Sequence, residues 1–217
     1  EILPYDTYIN PKNGFKGKVD CCLGHPELLE KINQEFSTES GQIEAKVINR
    51  LKEILYNEFV GEEYDLIVLD TGPSRNPVFR SALRCATHAI VPFEPEEKSI
   101  QGINAMIQVI TSENFSRPDD EQLHLVGLVP NKVRINTKLH KSTLDILHEK
   151  LSNIMLPRKL FIPLSSAFPE RDLKSISPKS IFQISENHTA KKHSEALCHH
   201  ILCEVFGKAL INKRIKT

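Results

Sequence analysis

One stretch of this chain combines residue types that could do chemistry at a useful spacing: Leu66-Ile67-Val68-Leu69-Asp70, followed by Thr71-Gly72-Pro73-Ser74. A carboxylate that closes an apolar strand is placed to hold Mg²⁺ through water beside a nucleotide. The Thr-Gly-Pro turn after it could bring backbone N–H groups near a terminal phosphate. The same pattern also suits a surface aspartate that merely opens a turn. A phosphate needs a Gly-rich loop ahead of a helix N-terminus, and the sequence contains no Gly-x-x-x-x-Gly-Lys-Ser/Thr. The nearest segment, Lys12-Asn13-Gly14-Phe15-Lys16-Gly17-Lys18, has the wrong spacing and no hydroxyl for a metal, and reads as a basic turn.

Other candidates have simpler readings. Glu94, Glu96 and Glu97 sit where a helix begins, a position that favours acids. His199 and Cys203 are four apart, but two ligands do not make a metal site. Cys21 and Cys22 are adjacent, so in a strand they point to opposite faces. Cations gather in three places: Lys132, Arg134, Lys138 and Lys141; Arg158, Lys159, Arg171 and Lys174; and Lys208, Lys213, Arg214 and Lys216. The last group also suits the C-terminal end of a helix, whose dipole favours positive charge. Val205, Phe206, Leu210, Ile211 and Ile215 among those lysines give a short amphipathic stretch, a rival reading as a membrane anchor.

Short apolar runs alternate with helical patterns and must position these groups. Strands are expected at 18–23, 64–70, 88–93, 123–129 and 159–162. Helices are expected from Leu28 to Phe36, and over 40–59, 75–86, 96–111, 137–151 and 189–211, with Gly61 as the stop after 40–59. In the helix over 137–151, Leu139, Leu144, Leu147 and Leu151 form the apolar face. The unbroken aliphatic run at 66–69 predicts a strand buried on both faces. Residues 164–187 read as loop. Alternating strands and helices predict an α/β fold with a parallel sheet covered on both sides, which binds ligands at the carboxyl ends of its strands.

The chain has 217 residues, 28 Lys and Arg against 28 Asp and Glu, and five cysteines at irregular spacing. That length fits one α/β domain over 1–217. The charge balance excludes a polycation, so any nucleic-acid contact would be local. No apolar run reaches the roughly 20 residues that span a bilayer, and the odd cysteine count with no signal segment predicts a reduced, cytoplasmic protein.

In order along the chain, Asp70-Thr71-Gly72-Pro73-Ser74, Ala82-Leu83-Arg84-Cys85-Ala86, Pro92-Phe93-Glu94-Pro95-Glu96, Ser99-Ile100-Gln101-Gly102, "GLVPNKV" and "KLFIPLSSAFPERDLKSISPKSIFQIS" resemble the ParA/MinD family of deviant P-loop ATPases, closest to its ParA partition branch. The resemblance covers residues 40 to 210 at family spacing. It implies a three-layer, doubly wound, mostly parallel P-loop NTPase-like sheet. It implies ATP and Mg²⁺ as cofactors, with Asp70 as the acid for Mg²⁺ and its water, and Thr71, Gly72 and Pro73 as the switch that senses the γ-phosphate. Asn131 and Lys132 would lie at the adenine, and Pro163 and Leu164 on its other side. Lys138, Lys141, Arg158, Arg171, Lys213 and Arg214 would contact DNA nonspecifically. The implied partners are a second copy of the chain, DNA and a ParB-type centromere-binding protein, at the nucleoid. The family has Pro where this chain has Gly72, which loosens that turn. The family's P-loop precedes the matched segment. Either Glu1 begins downstream of it in a longer protein, which the non-Met start favours, or the chain is a P-loop-less binding module that acts through protein or DNA contacts and hydrolyses nothing.

Overall fold

The computed structural model describes residues 2–4, 19–22, 24, 27, 30–31, 41–72, 76–172 and 180–215. The basic turn at Lys12–Lys18 and the apolar positions of the helix expected from Leu28 to Phe36 lie outside them, as do Pro73 and Ser74.

Two short strands, β1 (Ile2–Pro4) and β2 (Asp20–Cys22), pair with each other. Helix α1 spans Gly41–Leu55 and α2 spans Glu58–Glu63. One helix was expected over this stretch. It breaks because the Asn57 side chain accepts the Phe59 N–H (3.0 Å) and starts a new helix. Gly61 therefore lies inside α2 and stops nothing. Helix α3 (Pro77–Cys85) opens with Asn76 accepting the Phe79 N–H at 2.9 Å and Pro77 in its first turn. Strand β3 (His88–Phe93), helix α4 (Glu97–Phe115) and strand β4 (His124–Pro130) follow. Then come α5 (Lys138–Lys150), α6 (Thr189–Phe206) and α7 (Lys208–Ile215). The single last helix expected over 189–211 is two helices, because Gly207 leaves helical geometry at φ 83°.

Strands β3 and β4 pair in parallel: the His124 N–H donates to the Thr87 carbonyl (2.9 Å) and, further along both strands, the Asn131 N–H to the Phe93 carbonyl (2.7 Å). The strand expected over 159–162 does not form; isolated parallel bridges stand on either side of that segment, Leu128 with Met155 and Val133 with Pro163. Residues 64–70 form no strand. Leu66, Ile67 and Val68 are 46%, 41% and 80% exposed, and Asp70 is exposed too. An apolar run is buried on both faces only when strands flank it, and none pairs with it among the described residues.

The chain forms two compact units. The first holds residues 22–89 and 109–124. In it, the Ser81 hydroxyl of α3 donates to the Ile48 carbonyl of α1 (3.1 Å), and Ile48, Phe79, Leu83, Ile110 and Leu123 are buried. Arg117, its side chain 7% exposed, donates to Glu113 (3.1 Å) and to the carbonyls of Leu83, Ala86 and Glu121. It thereby satisfies the end of α3, where orphan carbonyls favour a cation. Burial pushes the Cys85 thiol above its ordinary pKa, so it stays protonated and inert.

The second unit holds residues 2–21, 90–108 and 125–217. Its core packs Phe93, Ile103, Leu128, Leu147 and Met155 together, and a second cluster joins Val129, Leu156, Leu160 and Leu197. Gly127 permits the close approach of these layers. Its φ is +154°, and a Cβ there would stand 2.7 Å from Leu156 Cδ2. Helix α5 turns Leu144, Leu147 and Leu151 toward the first cluster. Leu139, expected on the same face, is 63% exposed, because it lies about 80° to 140° around the helix from those three.

Candidate functional site

In the second unit the chain segments leaving β3 and β4 meet. Glu94 follows β3 directly, and its carboxylate takes the Lys132 ammonium at 2.5 Å. Asn131 and Lys132 follow β4. The Asn131 side-chain oxygen accepts the Lys132 N–H at 2.9 Å, and Lys132 adopts a left-handed φ of 50°. A non-glycine residue holds that conformation at a cost of about 1–2 kcal/mol. The Asn131 amide and the Glu94 pair offset part of it.

The next segment closes against this corner. The Ile162 N–H donates to the Pro130 carbonyl (2.9 Å), the Val133 N–H to the Ile162 carbonyl (3.0 Å), and the Leu164 N–H to the Val133 carbonyl (2.9 Å). Four residues singled out from the sequence, Asn131, Lys132, Pro163 and Leu164, are thus brought to one corner at the carboxyl ends of parallel strands. That end of an α/β sheet is where ligands bind. Leu164 is 51% exposed beside it.

Two residues of this corner were not legible as such. Glu94 reads as a helix-start acid, yet it pairs across to β4; its position just after a strand was the available signal. His140 is 5% exposed, and its Nδ1 accepts the Arg134 N–H at 3.1 Å. It anchors the 131–137 loop from α5, and an Nδ1 that accepts is the unprotonated nitrogen of the ring.

The remaining candidates fall elsewhere. Asp70, Thr71 and Gly72 lie exposed in a stretch of the first unit without regular secondary structure, and Pro73 is outside the described residues. Arg158 pairs with Asp145 at 2.5 Å. Lys138 and Lys141 are exposed on α5. For Arg171, Lys213 and Arg214 only the backbone is described, in a short 3₁₀ turn and in α7. Among the described residues no group of three or more His, Cys, Asp or Glu could hold a metal, and no helix is long and apolar enough to cross a membrane.

An amide, an ion pair and a proline at strand ends fit the base end of a nucleotide. The given sequence carries no Gly-Lys loop to cradle a phosphate, so no hydrolytic step is assigned.

Residues 19–123 match the family model described as an AAA domain. The chain is 32% identical over 98 residues to Protein IncC of Escherichia coli, covering 45% of this chain and 26% of that protein. It is 27% identical over 174 residues to a ParA family protein of Mycoplasma genitalium, covering 76% of this chain and 61% of the relative. It therefore spans between about a quarter and three-fifths of the length of these curated relatives. Among solved structures it is similar to apo McdA of Cyanthece, with a TM-score of 0.51, 15% identity, and coverage of 62% of this chain and 54% of that one. That likeness concerns the fold alone, an α/β arrangement.

Proposed function

We propose, from the chain's membership of the ParA/MinD-type family of P-loop ATPases, that it serves partition or positioning of a cargo and binds the adenosine part of ATP at the corner where β3 and β4 end. The observation that carries the site is the parallel bridge between Val133 and Pro163, which gathers Asn131, Lys132, Pro163 and Leu164. Asn131 and Pro163 take the base, and the Glu94–Lys132 pair holds the loop in place. Asp70 is the acid for Mg²⁺, and Thr71, Gly72 and Pro73 form the switch beside it.

In the finer reading, ATP and Mg²⁺ favour a dimer that holds DNA nonspecifically, released with the help of a ParB-type partner. DNA contact is assigned to Lys138, Lys141, Arg158, Arg171, Lys213 and Arg214. Phosphate contacts by these cations would weaken steeply with salt.

Titration calorimetry of the chain with adenosine and with Mg-ATP tests the site. Expected is adenosine binding that drops at least tenfold in Asn131→Ala while the melting temperature shifts little. Adenosine binding that is absent, or equal in wild type and Asn131→Ala, overturns the assignment.

A further inference from the structure

A buried imidazole, His140, stands in the first turn of α5, 5% exposed. Its Nδ1 accepts the Arg134 N–H at 3.1 Å. That bond runs from the helix back to the loop that leaves β4, so one side chain ties two elements of the second unit together. The loop needs such a tie. Lys132 stands at φ 50°, a conformation that a non-glycine residue keeps only where its surroundings hold it there.

The amides around Lys132 show what does the holding. The Asn131 N–H goes to the Phe93 carbonyl (2.7 Å) and the Val133 N–H to the Ile162 carbonyl (3.0 Å), both main-chain partners on neighbouring segments. The Lys132 N–H goes to the Asn131 side-chain oxygen at 2.9 Å. The left-handed turn and the placement of the Asn131 amide are therefore one arrangement. The Arg134 N–H goes to His140, after which the Thr137 N–H closes a turn on the Arg134 carbonyl (3.0 Å) and α5 begins. From 131 to 134, only the last amide depends on a side chain of another element. Without that acceptor the Arg134 N–H loses its protein partner. The loop can then turn between 132 and 134, letting Lys132 relax and carrying the Asn131 amide away with it.

We propose that His140 is a positioning residue for the adenosine corner: by accepting the Arg134 N–H it fixes the 131–134 loop and so holds the Asn131 amide where the base is taken. This rests on the adenosine site proposed above and adds to it a residue that acts through Asn131 rather than on the ligand. Two substitutions separate the hydrogen bond from the packing. Asparagine branches at Cγ as histidine does and offers Oδ1 in place of Nδ1; leucine has the same branched shape and offers no acceptor. If the ring only filled space, leucine would be the better replacement at a buried position.

The test is titration calorimetry with adenosine on the wild-type chain, His140→Asn and His140→Leu, with circular dichroism melts alongside. Expected is binding within about threefold of wild type for His140→Asn and weaker by on the order of tenfold for His140→Leu, the worth of one hydrogen bond. Amide hydrogen exchange on the wild type gives a second reading that needs no substitution and decides the matter if a variant fails to fold. Ligand binding and loop closure are linked, so saturating adenosine should slow exchange at Arg134 by about tenfold or more. The proposal is overturned if His140→Leu binds as well as wild type or as His140→Asn. It is equally overturned if adenosine binds and leaves exchange at Arg134 unchanged. A wild type that binds no adenosine ends the site and this proposal together. Binding lost in Asn131→Ala but equal in the two His140 variants ends this proposal alone.

Discussion

Removing the Arg117 guanidinium would strip the Leu83, Ala86 and Glu121 carbonyls of a donor and leave the Glu113 carboxylate, its side chain 10% exposed, with Arg84 as its remaining partner at 2.8 Å. Breaking a buried charge network this way costs about 3–5 kcal/mol. Arg117→Ala is therefore expected to lose that much in urea unfolding. Arg117→Lys should restore little, because an ammonium cannot reach several acceptors with the planar fork of a guanidinium. A loss under 1 kcal/mol would mean that water replaces these bonds. His193, stacked near Phe161 with centroids 4.0 Å apart, offers a pH test. Desolvation holds its pKa below the ordinary 6.5, against an opposing hydrogen bond to the Lys159 backbone. The unfolded chain then takes up this proton before the folded one does. Stability is full above about pH 6.5 and falls as pH drops below it. Melting temperatures should decline below that point in the wild type and decline less in His193→Gln; equal declines would remove His193 from the account.

Elements set by local pattern were legible from residue types. Helix α4 and strands β3 and β4 follow from apolar periodicity, and their order along the chain was enough to bring Asn131 and Pro163 to one sheet end. Features that depend on what lies beside a segment were not legible. The Leu66–Leu69 run has strand composition, but a strand exists only with a neighbour. The break between α1 and α2 turns on one Asn57 side chain, and the break at Gly207 on one backbone angle. Leu139 fits an apolar helix face in sequence and points outward because the face is wider than the core it covers. Glu94 was hidden because its partner, Lys132, is 38 residues away. Gly127 tests how tightly β4 meets residues 154–156. Gly127→Ala puts a methyl 2.7 Å from Leu156 and 3.0 Å from the Ile154 carbonyl. It should cost about 1–3 kcal/mol by overpacking, read as a lower urea midpoint; an unchanged midpoint would show that this contact yields freely.

At the scale of the whole molecule, the exposed Leu66-Ile67-Val68 stretch is the main colloidal liability. An exposed apolar stretch that pairs with no strand among the described residues is a template for intermolecular pairing. Val68, the most exposed of the three at 80%, can be changed without touching a core. Val68→Lys should raise the concentration at which light scattering sets in, with the melting temperature shifted by less than about 0.5 kcal/mol equivalent. Scattering that starts at the same concentration would place the liability elsewhere.

The two compact units are threaded rather than consecutive: the first takes residues 22–89 and 109–124, and the second takes 2–21, 90–108 and 125–217. No single cut in the gene therefore excises either one. A fragment ending at His124 carries 90–108 as a stranded helix half, and one beginning at Ile90 carries 109–124 without the helices it packs on. Deletion mapping would report both halves as inactive whichever unit held the activity, so grafts between relatives need two junctions per unit.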